Sequence, residues 1–175
     1  MEPSDATVVR QVLAGDVDAY RVLVERYRRE FGRYAVALVG DADTAADVVQ
    51  ESFIRAYDSL ASCRDPERFG AWFFRILTNQ CHDAVRRRPR EAVLAVDPPA
   101  RERADDALER GELGAALEAA LGRLTLEQRE AFVMKHVDGR SYDEMAQLLG
   151  VGVDALKMRV HRARDAMRSM LEGLR

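Results

Sequence analysis

Lys157, Arg159, Arg162, Arg164 and Arg168 crowd the run that follows Gly152. Ammonium and guanidinium heads at such density pair with phosphate oxygens, and an arginine fork also matches the edge of a guanine. At 100° per residue, Val153, Leu156, Val160, Ala163 and Met167 fall together and form the expected buried face of a helix. Asp154, Met158, His161 and Arg162 lie opposite, with Lys157 and Arg159 on the flanks. Gly150 and Gly152 permit a sharp turn ahead of this helix, and before them Tyr142, Met145, Ala146 and Leu149 recur at i, i+3, i+4 and i+7. That is helix-turn-helix spacing, with the second helix free to enter a major groove. A solvated basic helix closing a bundle is the competing reading of these residues alone.

A second chemistry is written in "FGAWFFRILTNQCHDAVRRR". Phe73, Phe74, Leu77, Cys81 and Ala84 share the apolar side, whereas Trp72, Arg75, Asn79, Asp83 and Arg86 line the other, a stripe that continues into Arg87 and Arg88. An indole among cations suits stacking on unpaired bases while arginines hold the phosphates. The alternative is a tryptophan covered by the first helix of its domain. A third face is acidic. In "DADTAADVVQESFIRAYDSL" the inward side reads as Ala46, Val49, Phe53, Ala56 and Leu60, leaving Asp47, Gln50, Glu51, Ile54, Arg55 and Asp58 outside. Carboxylates around an exposed isoleucine fit a protein partner with a basic surface, or an ordinary solvated face.

Catalysis finds no such constellation. His82, His136 and His161 are scattered, no glycine-rich phosphate loop or Ser/His/Asp grouping occurs, and neither a metal nor another cofactor is expected. Cys63 and Cys81 are too few for a disulfide framework and lack zinc-site spacing; Cys81 reads as a core thiol and Cys63 as a surface one. No apolar run approaches the roughly 20 residues that span a bilayer, and the start "MEPSDATVVR" lacks signal-peptide order, so a cytoplasmic protein without membrane insertion is expected.

These faces need helices to hold them. Apolar residues recur at three and four along the chain, which predicts an all-α fold. Pro89, Pro98 and Pro99 interrupt the pattern within "PREAVLAVDPPARERADD", placing a flexible linker at 89–107 between two small helical domains, 1–88 and 108–175. Thr125 with Gln128, and Ser141 with Glu144, have the spacing of capping boxes and fix two helix starts in the second domain.

Taken together, "AADVVQESFIRAY", "FGAWFFRILTNQCHDAVRRR" and "LTLEQREAFVMKHVDGRSYDEMAQLLGVGVDALKMRVHRAR" resemble, in order, regions 2.2, 2.3–2.4 and 4 of the extracytoplasmic-function (ECF, group 4) sigma factors of bacterial RNA polymerase. The resemblance implies a region 2 helical bundle and a region 4 helix-turn-helix. It implies that Asp47, Gln50, Glu51, Ile54 and Arg55 dock on the β′ clamp helices of core polymerase, with the β flap as a further contact and an anti-sigma factor as a regulatory partner. Ser62, Arg64, Trp72, Arg75, Asn79, Asp83, Arg86 and Arg87 would meet the -10 element as single strand, the segment 59–66 lying beside a flipped base. Lys157, Met158, Arg159, His161 and Arg162 would lie at the -35 element of promoter DNA. Ala155 and Met158 stand where the family pattern has Thr or Ser, so apolar contact replaces hydrogen bonding there. The alternative from another class is a stand-alone helix-turn-helix regulator with a helical sensor or dimerisation domain, which leaves the Trp72 stripe and the acidic strip without a role. The net charge of -3, from 30 acidic and 27 basic residues, argues against DNA binding only if charge is spread evenly, and here it is segregated.

Overall fold

The computed structural model of the protein describes residues 2–87 and 106–172, and every regular element among them is helical. The chain divides into two compact units, Met1–Val85 and Arg86–Arg175. Most of the expected linker, 89–107, lies outside the described residues.

In the first unit, α1 (Asp5–Leu13) starts at Ser4, whose hydroxyl accepts from the Thr7 amide at 3.2 Å, and buries Ala6, Val8, Val9 and Val12. A left-handed Gly40 (φ 78°) ends α2 (Tyr20–Val39), and Asp41 at once caps α3 (Ala42–Asp58) by accepting from the Thr44 amide at 2.8 Å. Two short 3₁₀ turns, Leu60–Ser62 and Pro66–Arg68, then lead into α4 (Phe69–Arg87). The core is aromatic. Phe73 of α4 stacks on Phe31 of α2 (centroids 5.2 Å apart) and on Phe53 of α3 (4.4 Å), and Phe74 packs on Tyr34 at 4.8 Å. Asp5 ties α1 to α2 through Arg26 and the Tyr27 hydroxyl. Tyr27 in turn sits so close to Gly70 that a Cβ there would lie 2.8 Å from the phenol oxygen, and a side chain at 70 would have to displace the Tyr27 ring.

The inward face of α3 differs from its sequence reading. Ala45, Val48, Ser52, Phe53 and Ala56 are buried, with Leu60 just beyond, whereas Ala46 is exposed and Val49 half-buried. Ser52 hides this register in the sequence: its hydroxyl donates to the Val48 carbonyl at 2.7 Å, so a polar residue sits in the core with its hydrogen bond satisfied. Cys63 also departs from expectation. It is buried, 6% exposed, with Sγ 3.6 Å from the Asp65 carbonyl it donates to, and burial pushes its thiol above the usual range.

The second unit holds α5 (Asp106–Arg123), α6 (Leu126–Phe132), α7 (Tyr142–Leu149) and α8 (Val153–Glu172), with α8 packed against the other three. Both capping boxes form: Thr125 and Gln128 at α6, Ser141 and Glu144 at α7. Hydrogen bonds from the Ser141 amide and hydroxyl hold the Glu144 carboxyl below the usual carboxylate range. One π-helical turn, Val133–Val137, follows α6. Arg129 is buried and caps α5 from outside it, Nε donating to the Leu121 carbonyl at 2.8 Å and Nη2 to that of Gly122 at 2.9 Å.

Two outcomes follow from these burials. Arg129→Leu strands the α5 carbonyls and should destabilise the second unit by about 1.5–3 kcal/mol. The loss is expected in the helical melt by circular dichroism while fluorescence of Trp72, the single tryptophan and a reporter of the first unit, keeps its midpoint. A shift of both signals together would show that the two units do not melt separately. For Cys63, iodoacetamide at neutral pH should label the folded protein roughly tenfold more slowly than the urea-unfolded chain, as read by mass spectrometry. Equal rates would rule out its burial.

Candidate nucleic-acid interface and docking strip

The same packing that hides one side of each helix exposes another. On α3, with Phe53 and Ala56 turned into the core, Asp47, Gln50, Glu51, Ile54, Arg55 and Asp58 all face outward, and Ile54 is 49% exposed. Arg55 Nε lies 3.0 Å from Glu51 Oε1, so part of the acid is already paired along the helix. Gln80 of α4, with its amide oxygen turned to Arg55, accepts from Nη1 of the same guanidinium at 3.1 Å and links α3 to α4. Beside the strip, an open groove runs between α2 and α3, with Val24 and Val49 along it, exposed Val17, Val36 and Tyr57 at its margins, and Arg28 on the α2 side. Sequence periodicity missed this groove, because it belongs to two helices at once and neither alone reveals it. Tyr20 stiffens its wall: the phenol donates to the Phe53 carbonyl at 2.8 Å, and burial, aided by Asp58, raises its pKa.

On α4 the apolar side is as expected, Phe73, Phe74, Leu77 and Cys81 being buried and Ala84 half-buried. Arg75, Asn79, Asp83, Arg86 and Arg87 are exposed. Trp72 shares their stripe but is half-buried, its ring tilted at 47° to Phe69 with centroids 5.7 Å apart. Neither a bare stacking platform nor a core residue describes it; the indole is anchored on one side and open on part of the other. Ser62 and Arg64, both exposed, precede α4 in the connection from α3.

In the second unit, Leu156, Val160, Ala163 and Met167 are buried and Val153 half-buried, which leaves Asp154, Lys157, Met158, His161 and Arg162 exposed along the opposite side of α8. Met158 is 52% exposed. Arg159 is half-buried at the margin of the packed face. The turn before α8 is made by Gly150 in the left-handed region (φ 66°), its amide donating to the Ala146 carbonyl at 2.9 Å; Gly152 keeps an ordinary backbone. In α7 only Met145 is fully buried, while Tyr142, Ala146 and Leu149 are half-buried. Lys135 holds the approach to this motif, donating to the Arg140 carbonyl at 3.1 Å with its ammonium 4.7 Å from the Tyr142 ring centroid. Two acids on the outward side of α8 are matched within the helix. Lys157 Nζ is 3.7 Å from Asp154, and His161 Nδ1 is 3.0 Å from Asp165 Oδ2. The second pair was not anticipated, although the i, i+4 spacing of His161 and Asp165 signals it. Among the described residues no cluster of His, Cys, Asp and Glu is arranged to hold a metal, and no helix is long and apolar enough to cross a membrane.

The chain matches known proteins over both units. The family profile for Sigma-70 region 2 matches residues 23–91, and that for Sigma-70, region 4 matches residues 114–167. An ECF RNA polymerase sigma factor, SigE of Mycolicibacterium smegmatis, is 34% identical over 98% of this chain and 70% of its own length. Among solved structures, CnrH in complex with the cytosolic domain of CnrY is similar at a TM-score of 0.73, with 29% identity, covering 98% of this chain and 99% of that one. The sigma factor RpoE of Bartonella quintana, solved with the anti-sigma factor NepR, is similar at a TM-score of 0.66, with 26% identity over 87% and 96% of the two chains. Two helical units carrying an acidic strip, a Trp-Arg stripe and a helix-turn-helix thus belong to a member of the ECF family of RNA polymerase sigma factors.

Proposed function

We propose that the three faces divide the work of transcription initiation between the two units. Residues 1–88 dock on core polymerase through Asp47, Gln50, Glu51, Ile54 and Arg55 of α3, with the groove beside them receiving apolar side chains of the partner. The same domain holds the -10 element as single strand on Trp72, Arg75, Asn79, Asp83, Arg86 and Arg87, with Ser62 and Arg64 beside an extruded base. Residues 108–175 place Lys157, Met158, Arg159, His161 and Arg162 in the -35 major groove, with 89–107 as the tether. The chain acts without catalysis of its own, in the cytoplasm where its polymerase works. A protein repressor of the kind named in the Bartonella complex is its natural regulator, since exposed apolar surface such as Ile54 and the α2–α3 groove needs covering when core polymerase is absent.

The observation that supports this reading best is the segregation of charge onto separate faces. Acid with an exposed isoleucine occupies one side of α3, while exposed cations line α4 and α8. Even spreading would favour neither partner. A stand-alone regulator would have no use for the acidic strip.

Purified protein added to sigma-free core polymerase should give transcription from a defined start site on promoter DNA, and core alone should not. Reversing Asp47 and Glu51 to Lys should weaken binding to core several-fold or more with the melting temperature nearly unchanged, because exposed charges contribute little to folding. Binding of core at the parental affinity by the double variant would reject the strip as the docking surface.

A further inference from the structure

Asp165 stands where a DNA-reading helix should avoid negative charge. With Leu156, Val160, Ala163 and Met167 buried, the side of α8 opposite them carries Asp154, Met158, His161, Arg162 and Asp165, all exposed. A carboxylate there approaches phosphates and base edges together, and its repulsion weakens every sequence alike unless the group does something in return. Asp154 neutralises itself on a lysine at 3.7 Å, which can swing away to a phosphate. Asp165 instead lies 3.0 Å from one particular atom, Nδ1 of His161. Both partners of that pair are exposed, so its contribution to folding is small.

The chemistry of the contact is more specific than its strength. A carboxylate is only an acceptor, so it holds the Nδ1–H form of a neutral imidazole; the other ring nitrogen, Nε2, then carries a lone pair. The i, i+4 contact turns Nδ1 toward Asp165, which leaves Nε2, on the other side of the exposed ring, unengaged by that carboxylate. His161 is eight residues beyond Val153, about 12 Å along the axis at 1.5 Å per residue, which is within a major groove of about the same width. An acceptor in that groove has two complementary partners among the bases, the exocyclic amines of adenine N6 and cytosine N4.

We infer that Asp165 is a positioning residue that sets the tautomer and direction of His161, so that Nε2 accepts a hydrogen bond from an adenine or cytosine amine at one position of the upstream promoter element. This rests on the reading of α8 as the helix that enters the -35 groove. It names the class of base met at one position, which the basic face alone does not.

The test is selection by the full chain in complex with core polymerase from promoter duplexes randomised over the upstream element. The parent should show one position favouring a base with an exocyclic amine, and His161→Ala should lose about fivefold to tenfold discrimination there and nowhere else. Asp165→Asn is the sharper variant: its carboxamide can either accept from or donate to Nδ1, so the tautomer is no longer fixed and preference at that position should broaden to admit guanine or thymine, whose edges offer acceptors. Asp165→Glu keeps an acceptor within reach and should retain the parental preference within about twofold. In a His161→Ala background, Asp165→Asn should change no base preference at all. Uniformly tighter binding by Asp165→Asn with unaltered preference would reduce Asp165 to a repulsive charge and overturn the inference. So would a parental preference for guanine or thymine at the His161-dependent position, or a persistent Asp165 effect without His161, which would mean that Asp165 touches a base itself. Arg162→Ala serves as the control for the underlying reading. If neither Arg162 nor His161 alters any position, α8 does not read the DNA and both conclusions fall; if Arg162→Ala alters one position and the Asp165 variants none, only the tautomer assignment falls.

Discussion

Stacking of Phe73 on Phe31 and Phe53 is the contact on which the first unit depends. One ring from α4 meets one from α2 and one from α3, so the azimuth of each helix about its own axis is set at a single point. Rotating α3 by even one residue, 100°, would carry Phe53 out of the stack and turn Asp47, Glu51 and Ile54 out of their shared outward strip. Likewise α4 presents Arg75, Asn79 and Asp83 outward only while Phe73 and Phe74 point inward. Chemistry on the surface is thus held in register by aromatic packing beneath it, and Gly70 lets Tyr27 close over the same cluster where a Cβ would force the ring to shift.

Formal charge says little about such a molecule. Its acids and bases are sorted by face, and within a face they are sorted again by local pairing: Arg55 with Glu51 on the acidic strip, Lys157 with Asp154 and His161 with Asp165 on the basic helix. These exposed pairs add little to folding. On α8 they offset the charge of Lys157 and His161 but leave the exposed Arg162, Arg164 and Arg168 outside any such pair among the described residues.

Where local rules govern, the sequence could be read directly. Both capping boxes, the left-handed Gly40 and Gly150, and the packed face of α8 follow from spacing over a few residues, and each is present in the structure. Failures occur where a distant contact decides. Ser52 looks like a surface residue until its hydroxyl finds the Val48 carbonyl, and this shifts the inferred face of α3 toward Ala46 and Val49. Cys63 sits between two short turns whose packing against α1 no periodicity encodes. Nothing local marks Arg129 as a residue to bury, and only the approach of the α5 carbonyls explains its burial. The π turn at 133–137, closed by the Asp138 amide on the Val133 carbonyl at 3.0 Å, leaves no mark in composition at all.

The two units reach stability by different means, and the difference bears on how each meets its partner. Seven rings, Tyr27, Phe31, Tyr34, Phe53, Phe69, Phe73 and Phe74, interlock in the first unit. In the second, the buried side chains include Met134, Met145 and Met167 with Leu156 and Val160, and order comes from reciprocal caps, the Arg129 forks on α5 and the Lys135 contacts before α7. Aromatic interlock gives a stiff platform, suited to holding a strip and a stripe at fixed angles. Methionine adapts its shape at little cost. A core of that kind depends on polar clamps at the helix ends, with the start of α7 fixed by the Ser141–Glu144 box and the turn into α8 by Gly150.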